Sequence, residues 1–551
     1  MNKIVSAGVV LLSLSACGGG GNVAPLKGIV SGGNDIASGF IAPIVASSSV
    51  AGQCQAPRAA GTIDPSTSLP YGDVQGSLTT EKQWIRAYVN ETYLWYADVA
   101  YVDASKYVLG ASVNYVDPAN NTSSPITLTS NYDVVDAYFN SQRSTLFTAS
   151  GKAKDPFHFT YTTTEWQALS NAGATVGFGF QPALITSVPP RSVVVAYTDP
   201  ATPASANGIS RGATILAVNG VSVTDGDPAT LNEGLFSPVA GKSYTFSVLD
   251  LNATTARDVT MVAGTVTSTP VQNVRTLPAP HANVGYLQFN DHIATAESEL
   301  IAAVNTLKLA NGGAGVSDLV LDLRYNGGGL LDIASEFAYM IAGSTATTGK
   351  TFEKLSFNDK NPYNFSAADS VTPFHATSQG FSTTAGQALP QLGLARVFVL
   401  VGAGTCSASE AIINGLTGIG VQVVLIGNTT CGKPYGFFAT DNCSTTYFTI
   451  QFKGVNQAGF GDYADGFIPG GSGSTANNLP GCSVADDFTK PLGDITEARL
   501  AAALQYRANG SCGTGQVSAK MLKAGAAHTD VTLIRSIVRE NRIYRSPLKR
   551  N

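Results

Sequence analysis

The alternation of apolar and polar positions changes rhythm along the chain. From about Leu78 to Phe147 apolar residues recur at helical intervals: Trp84, Ile85, Tyr88, Val89 and Trp95, then Val134, Val135, Tyr138 and Phe139. Thr80 and Gln83 stand at capping-box spacing ahead of the first group. From about Asn171 to Thr267 the pattern is mostly that of short strands punctuated by glycine. From about Val274 strands and helices alternate. Val284 to Phe289 reads as a strand, Ala294 to Leu309 as an amphipathic helix, and Asp318 to Arg324 as a buried strand running into Asn326-Gly327-Gly328-Gly329 and a helix through Ile341. Apolar runs at Val397 to Val401 and Val421 to Ile426, a strand at Tyr447 to Phe452 and a late helix from Ile495 to Tyr506 complete the series. The pattern predicts a multidomain α+β chain whose last and largest part is an α/β core, with its chemistry on loops at strand ends.

A chain of 551 residues exceeds the ~100–200 of a single domain, and an apolar fraction of 44% supports several cores. Charged residues make up only 13%, while Gly, Ser and Thr are abundant, a composition suited to an exported, loop-rich protein. A net charge of −5 and the lack of any recognition motif exclude a whole-protein electrostatic case for nucleic acid. Nothing has the repeated C-x-x-C or H-x-x-x-H spacing of a metal site, so neither metal nor other cofactor is expected.

Two stretches carry the candidate chemistry. GTCSASEAIINGL, beginning at Gly404, sets Ser407 between an apolar strand and a helix-like run, Ala408 to Leu416. A hydroxyl there lies at a positive helix end beside free N–H groups able to hold an oxyanion. NTTCGKPYGF, beginning at Asn428, presents Lys433 in a loop after a buried strand, where a desolvated ammonium loses its proton readily. Serine with lysine is a known form of nucleophilic catalysis.

S-A-S-E followed one helix and one strand later by G-K resembles the signature of the carboxyl-terminal processing proteases, serine peptidases with a Ser-Lys dyad. The resemblance implies that Ser407 is the nucleophile and Lys433 the general base. A third block, LVLDLRYNGGG ending at Gly329, resembles the family's strand and glycine turn, which implies an oxyanion hole from the backbone of Ala408 with Gly327 or Gly328. It also implies a ClpP/crotonase-like catalytic core over residues 274–510. Asp322 and Arg324 are read as bracing the turn. Glu410, one turn into the helix, either assists Lys433 or favours the helix start. Two departures stand out: Phe437 occupies the place where many members carry a glutamine that orients the lysine, and the Ser407 to Lys433 spacing is one residue longer. Asp291-His292 offers a Ser-His-Asp triad instead, but adjacent residues on a strand end point apart.

Residues 171–267 resemble a PDZ domain, inserted in or preceding the catalytic core. The resemblance rests on GFGF at Gly177, Phe178, Gly179 and Phe180, and on NGISRGATILAVNGVSV from Asn207. Consecutive N–H groups in the glycine loop would capture a peptide carboxylate while the neighbouring strand edge accepts the peptide. The alternative for GFGF alone is a hairpin with a glycine bulge. His158, in DPFHFTYTTTEW, is read as a packed or capping histidine without an acidic partner nearby in sequence.

The N-terminus reads as a targeting segment. Lys3, the apolar stretch Ile4 to Leu14 and Leu14-Ser15-Ala16-Cys17 resemble a bacterial lipoprotein signal over residues 1–16, with Cys17 as the lipidated residue. The alternative is an ordinary secretory signal cut near Ala16. Gly18 resembles the residue after the cysteine in lipoproteins sent to the outer membrane. Residues 17–77 then read as the lipidated cysteine and a flexible tether, 78–170 as an N-terminal helical region, and 511–551 as a basic C-terminal segment. Cys54, Cys406, Cys431, Cys443, Cys482 and Cys512 allow three disulfides in an oxidising space, with Cys431 and Cys443 the preferred pair on proximity and Cys406 a small buried residue.

The expected protein is therefore an envelope serine endopeptidase. It is lipid-anchored at the outer membrane facing the periplasm, with polypeptide substrates recognised at C-terminal or unfolded segments and no nucleic-acid partner. The competing expectation is a non-catalytic peptide-binding lipoprotein, motivated by the missing glutamine. Oligomeric state is not legible.

Overall fold

Four of the apolar runs lie side by side as parallel strands, because each is buried on both faces and needs helices above and below it. A computed structural model describes residues 44–512 apart from 66–67, 119–120, 361 and 471–475, together with the strands Asp35–Ala37, Phe40–Ala42 and Arg542–Tyr544. The central six-stranded sheet runs in the order Val271–Thr276, Val284–Phe289, Asp318–Asp322, Arg396–Val401, Gln422–Gly427, Gly481–Ser483. The first pair is antiparallel and the remainder parallel. Alternate residues feed separate cores. Leu319, Leu321, Val397 and Val399 pack with helices Ala296–Lys308, Leu331–Thr347 and Ala408–Gly418, while Val320, Phe398, Leu400 and Val424 pack with helix Ala498–Asn509 on the other face.

The predicted strand at Tyr447 to Phe452 is two strands, Thr445–Phe448 and Phe452–Val455, in different sheets. The break falls at Thr449 and Gln451, whose buried polar side chains turn to His158 and Tyr88. Helix Leu78–Thr92 begins one cap earlier than its spacing predicts: the Ser77 hydroxyl accepts the Thr80 N–H at 3.2 Å and Thr80 Oγ1 accepts the Ser77 N–H at 2.9 Å. The region 78–170 is helical only in part, since a hairpin, Ser112–Val116 with Ser123–Thr127, lies between helices Leu78–Thr92 and Asn131–Asn140.

This N-terminal region shares its core with the central sheet. Strand Phe159–Thr162 pairs with Thr445–Phe448, and the rings of Trp84 and Phe139 lie 5.0 and 5.1 Å from that of Tyr447. The β-rich residues between them have their own core of Phe178, Val193, Val195, Ile215, Phe246 and Val248, on a sheet ordered Phe180–Thr186, Ser192–Thr198, Thr214–Val218, Ser243–Leu249, Arg257–Val262. Of the two placements left open for this segment, the chain adopts insertion.

Two further expectations change. The described part of the tether, residues 44–77, is packed and not free: Cys54 is bonded to Cys443, and Arg58 pairs with Asp73 at 2.7 Å and Asp441 at 2.5 Å. Glycine and serine content hid these anchors. The other disulfides are Cys406–Cys431 and Cys482–Cys512, so proximity in sequence misled the pairing of Cys431 with Cys443. The signal segment and Cys17 lie outside the described residues, as does most of the basic C-terminal segment. Its strand Arg542–Tyr544 runs parallel to Gly328–Leu330.

Below the glycine turn, Arg324 is wholly buried and saturated. It donates to Asp322 at 2.9 Å, Asp486 at 2.7 Å and Glu497 at 2.8 Å. Asp486, held well below the usual carboxylate range by these arginines despite its burial, also accepts from Arg211 of the β-rich domain at 2.8 Å and from Tyr325 Oη at 2.5 Å. The predicted bracing role of Asp322 and Arg324 matches these contacts. Replacing Arg324 by Met strands buried carboxylates; the expected loss of unfolding free energy is about 3–5 kcal/mol, measured by guanidinium denaturation.

Candidate active site

The strand Arg396–Val401 ends in a turn that holds Ser407 at φ +67°, ψ −121°, a conformation rare for a residue with a side chain. Neighbouring bonds impose it. Thr405 Oγ1 donates to Leu323 O at 2.8 Å and accepts the Gly402 N–H at 2.9 Å, and Asn326 O accepts from Cys406 N at 3.1 Å and Ser409 Oγ at 3.1 Å. The Ser407 turn is thereby tied to the glycine turn. Ser407 itself is buried, and its hydroxyl makes no hydrogen bond.

The loop after strand Gln422–Gly427 carries Lys433 to the same place. Gly432, at φ +89°, passes so close to Ala464 that a Cβ would sit 2.2 Å from its carbonyl oxygen, so only glycine permits this path. The Lys433 amine is fully buried between the rings of Phe157, 4.5 Å away, and Phe437, 4.4 Å away, and it makes no hydrogen bond. Burial pushes its pKa down to about 7, against the opposing charges of Asp155 and Glu410. A large share of the amine is therefore neutral at pH 7.

Glu410 joins the two loops. Its buried carboxylate accepts the N–H of Ser407 at 2.9 Å, of Gly432 at 2.9 Å and of Lys433 at 2.8 Å, and the Thr430 hydroxyl at 2.5 Å. Burial pushes its pKa up, and these donors hold it down. Of the two sequence roles, favouring the helix start covers only the Ser407 contact; Glu410 bonds the backbone of Lys433 and not its amine. Ser407 and Lys433 are thus fixed in adjacent loops while the bond between Oγ and Nζ is unmade. Such bonds commonly tighten only when substrate arrives.

The glycine turn is positioned by Asn326, whose Oδ1 accepts the Gly328 N–H at 2.9 Å and lies 3.0 Å from His292 Nδ1. Gly328 therefore already spends its N–H, leaving Gly327 as the candidate donor to an oxyanion. The Ala408 N–H, at the first position of its helix, has no intrahelical acceptor. Gly329, at φ +142°, packs so that a Cβ would lie 2.4 Å from His292 O. His292 is buried, its pKa pushed down to about 3 by desolvation, and its ring supports this turn instead of joining a triad with Asp291.

Asp155 and Phe157 were not singled out from sequence. They come from the DPFH run just ahead of strand Phe159–Thr162, which in sequence reads as a connector into the next domain. Asp155 is buried, accepts from Tyr93 Oη at 2.6 Å and lies 3.7 Å from His158 Nδ1, so His158 does have an acidic partner, three residues away. The peptide-binding expectation divides. The Phe178 ring lies in the β-rich core, and Gly179 packs against Thr202, with its carbonyl accepting from Asp199 N at 2.7 Å. Among the described residues, strand Phe180–Thr186 has one ladder neighbour and an open edge. One trio with metal-ligand character occurs among the described residues, Cys406, Glu410 and Cys431, but its two sulfurs are bonded to each other and offer no thiolate. Closing that loop of sequence separation 25 stabilises the fold by about 3–4 kcal/mol.

The model of peptidase family S41 matches residues 283–440. The carboxyl-terminal-processing protease of Picosynechococcus sp. is 28% identical over 271 residues, 48% of this chain and 56% of its own, so the chain spans just over half the length of that curated relative. Among solved structures, a putative S41 protease from Bacteroides fragilis superposes with a TM-score of 0.53 at 21% identity, covering 80% of this chain and 98% of that one. A photosystem II D1 C-terminal processing protease reaches 0.38 at 19%, covering 68% and 86%. The first of these supports the fold.

The buried amine carries a stability signature. Its folded pKa of about 7 lies below the ordinary lysine value of 10.5, so the unfolded chain binds more protons between those limits and stability rises with pH across that window, by up to about 1.4 kcal/mol per unit. Lys433→Met is expected to stabilise the protein at pH 7, with the gain shrinking toward zero by about pH 10.5; urea unfolding at several pH values measures it.

Proposed function

We propose that the chain, which matches the model of peptidase family S41 and resembles a carboxyl-terminal-processing protease, is a serine endopeptidase in which Ser407 attacks and Lys433 is the general base. The observation that carries this reading is the Lys433 amine, buried, unbonded and poised near pH 7, in a loop that shares the Glu410 carboxylate with the Ser407 turn. The neutral amine takes the Ser407 proton as Oγ adds to the peptide carbonyl, then returns it to the leaving amine. Water hydrolyses the acyl-enzyme by the same proton route. The oxyanion is held by the N–H groups of Ala408 and Gly327, a donor of this kind being worth about 3–4 kcal/mol of barrier.

The catalytic core is of ClpP/crotonase type in this reading, and the inserted residues 171–267 form a PDZ-like reader of chain ends, with the open edge of Phe180–Thr186 accepting an extended peptide. Substrates are polypeptides engaged at C-terminal or unfolded segments. The location is the cell envelope, the chain being anchored through a lipid on Cys17 at the outer membrane and facing the periplasm. Three disulfides accord with an oxidising compartment. No helix among the described residues is long and apolar enough to cross a membrane.

The test is cleavage of an unstructured polypeptide by the purified protein. Ser407→Ala and Lys433→Ala are each expected to lower kcat/KM by at least about 10³-fold without loss of fold. The parent's kcat/KM should rise with pH through about 7, since the base must be neutral to accept a proton. Cleavage that survives either substitution removes the dyad, and a parent inert under every condition returns the peptide-binding alternative.

A further inference from the structure

We propose that Cys406 and Cys431 are positioning residues, their disulfide strapping the nucleophile turn to the base loop and thereby making the peptidase answer to a dithiol reductant. The inference rests on the reading of Ser407 and Lys433 as the catalytic pair. Cys406 immediately precedes Ser407, and Cys431 stands two residues before Lys433; their Cα atoms are 5.2 Å apart. Hydrogen bonds also tie these loops: three N–H groups and one hydroxyl on Glu410, and Cys431 N donating to Thr405 O at 3.0 Å. The strap alone makes their register covalent. Cys54–Cys443 and Cys482–Cys512 join other elements, an N-terminal strand to a hairpin and the edge strand to the chain just beyond helix Ala498–Asn509.

Cys406 is buried and Cys431 half-buried, so Cys431 is the more accessible half. A thiolate of the dithiol attacks Cys431 Sγ, the S–S bond breaks, and Cys406 leaves as a thiolate that takes a proton. The reductant's second thiol then displaces Cys431, also protonated on release. Two electrons and two protons pass to the protein, and the dithiol departs as its cyclic disulfide. The new Cys431 thiol begins 3.5 Å from Glu410 Oε2, within reach to donate to the carboxylate that orders both catalytic loops. Reduction thus removes the covalent tie and adds a competitor for the carboxylate at one step.

The experiment compares the full chain, purified with disulfides intact, with Cys406→Ala/Cys431→Ala and, as control, Cys482→Ala/Cys512→Ala. A cysteine-free unstructured polypeptide is the substrate. Loss of the strap is expected to lower kcat by roughly 10- to 100-fold, the scale of a small misplacement, with KM changed less than about twofold. The acid limb of kcat/KM should move upward from about pH 7 as the Lys433 loop opens to water. Dithiothreitol should reproduce the loss in the parent and the control, reversibly on reoxidation, and leave the Cys406→Ala/Cys431→Ala variant unaffected. If that variant fails to fold, partial reduction of the parent with alkylation of Cys406 and Cys431, mapped by mass spectrometry, replaces it. Full parental kcat with an unmoved acid limb after loss of this disulfide overturns the proposal. Should the parent prove inert, the dyad reading fails separately, and the strap is judged by competitive acetylation of Lys433: a titration that stays at its parental pH without the disulfide overturns it.

Discussion

A single buried carboxylate holds the centre of this molecule together. Glu410 lies where two strand-end loops meet, and a charge without water must find its donors in the protein. It finds them in the main chain of Ser407, Gly432 and Lys433 and in the Thr430 hydroxyl. Each donor is a group that the turn would otherwise leave unsatisfied, so the carboxylate and the two loops stabilise one another. Ser407 is held at positive φ with its own N–H committed to this carboxylate. The consequence for chemistry is that the hydroxyl and the amine are left with nothing else to bond.

The floor beneath this clamp is also polar, and equally closed. Arg324 draws Asp322, Asp486 and Glu497 together under the glycine turn, and Arg211 enters the same cluster from the inserted domain through Asp486 and Tyr325. Buried ion clusters of this kind are weak as sources of net stability but intolerant of a missing partner. They suit a site in which geometry matters more than depth of the energy well. The glycine turn is then pinned from both sides, by Asn326 toward His292 and by Asn326 O toward Cys406 and Ser409.

What could be read from sequence follows the range of the interactions that decide it. The parallel strands announce themselves because burial on both faces leaves an uninterrupted apolar run, and strand Val284–Phe289 has the bounds its composition predicts. Ser407 and Lys433 stand out because strand, turn and helix signals converge on them locally. The disulfide partners of Cys54 and Cys431 were illegible, since nothing in the spacing records that residue 54 folds back onto residue 443. The role of Glu410 as a bridge required knowing that a loop 20 or more residues on returns to its side chain. Asp155 and Phe157 were missed for the same reason: they reach Lys433 only because the N-terminal region and the catalytic sheet share one core across an inserted domain. Thr449 and Gln451 mark the reverse case, where an apolar strand pattern concealed two buried polar side chains that break it.

In the proposed dyad, aromatic walls surround Lys433 where the family resemblance leads one to expect an orienting glutamine. A ring face removes water from the amine, which disfavours the ammonium, yet its quadrupole attracts a cation by about 0.5–2 kcal/mol. The two effects have opposite signs and different ranges. Desolvation acts at all times and dominates, bringing the amine to about 7. The cation–π attraction counts only once the proton has arrived. In the proposed dyad Phe157 and Phe437 thus favour the neutral amine and partly stabilise the ammonium that would form on attack by Ser407, whereas a glutamine oxygen would bond the amine in both states. A base enclosed by rings depends on its backbone for aim, and this returns the requirement for orientation to the Lys433 N–H and the carboxylate that holds it.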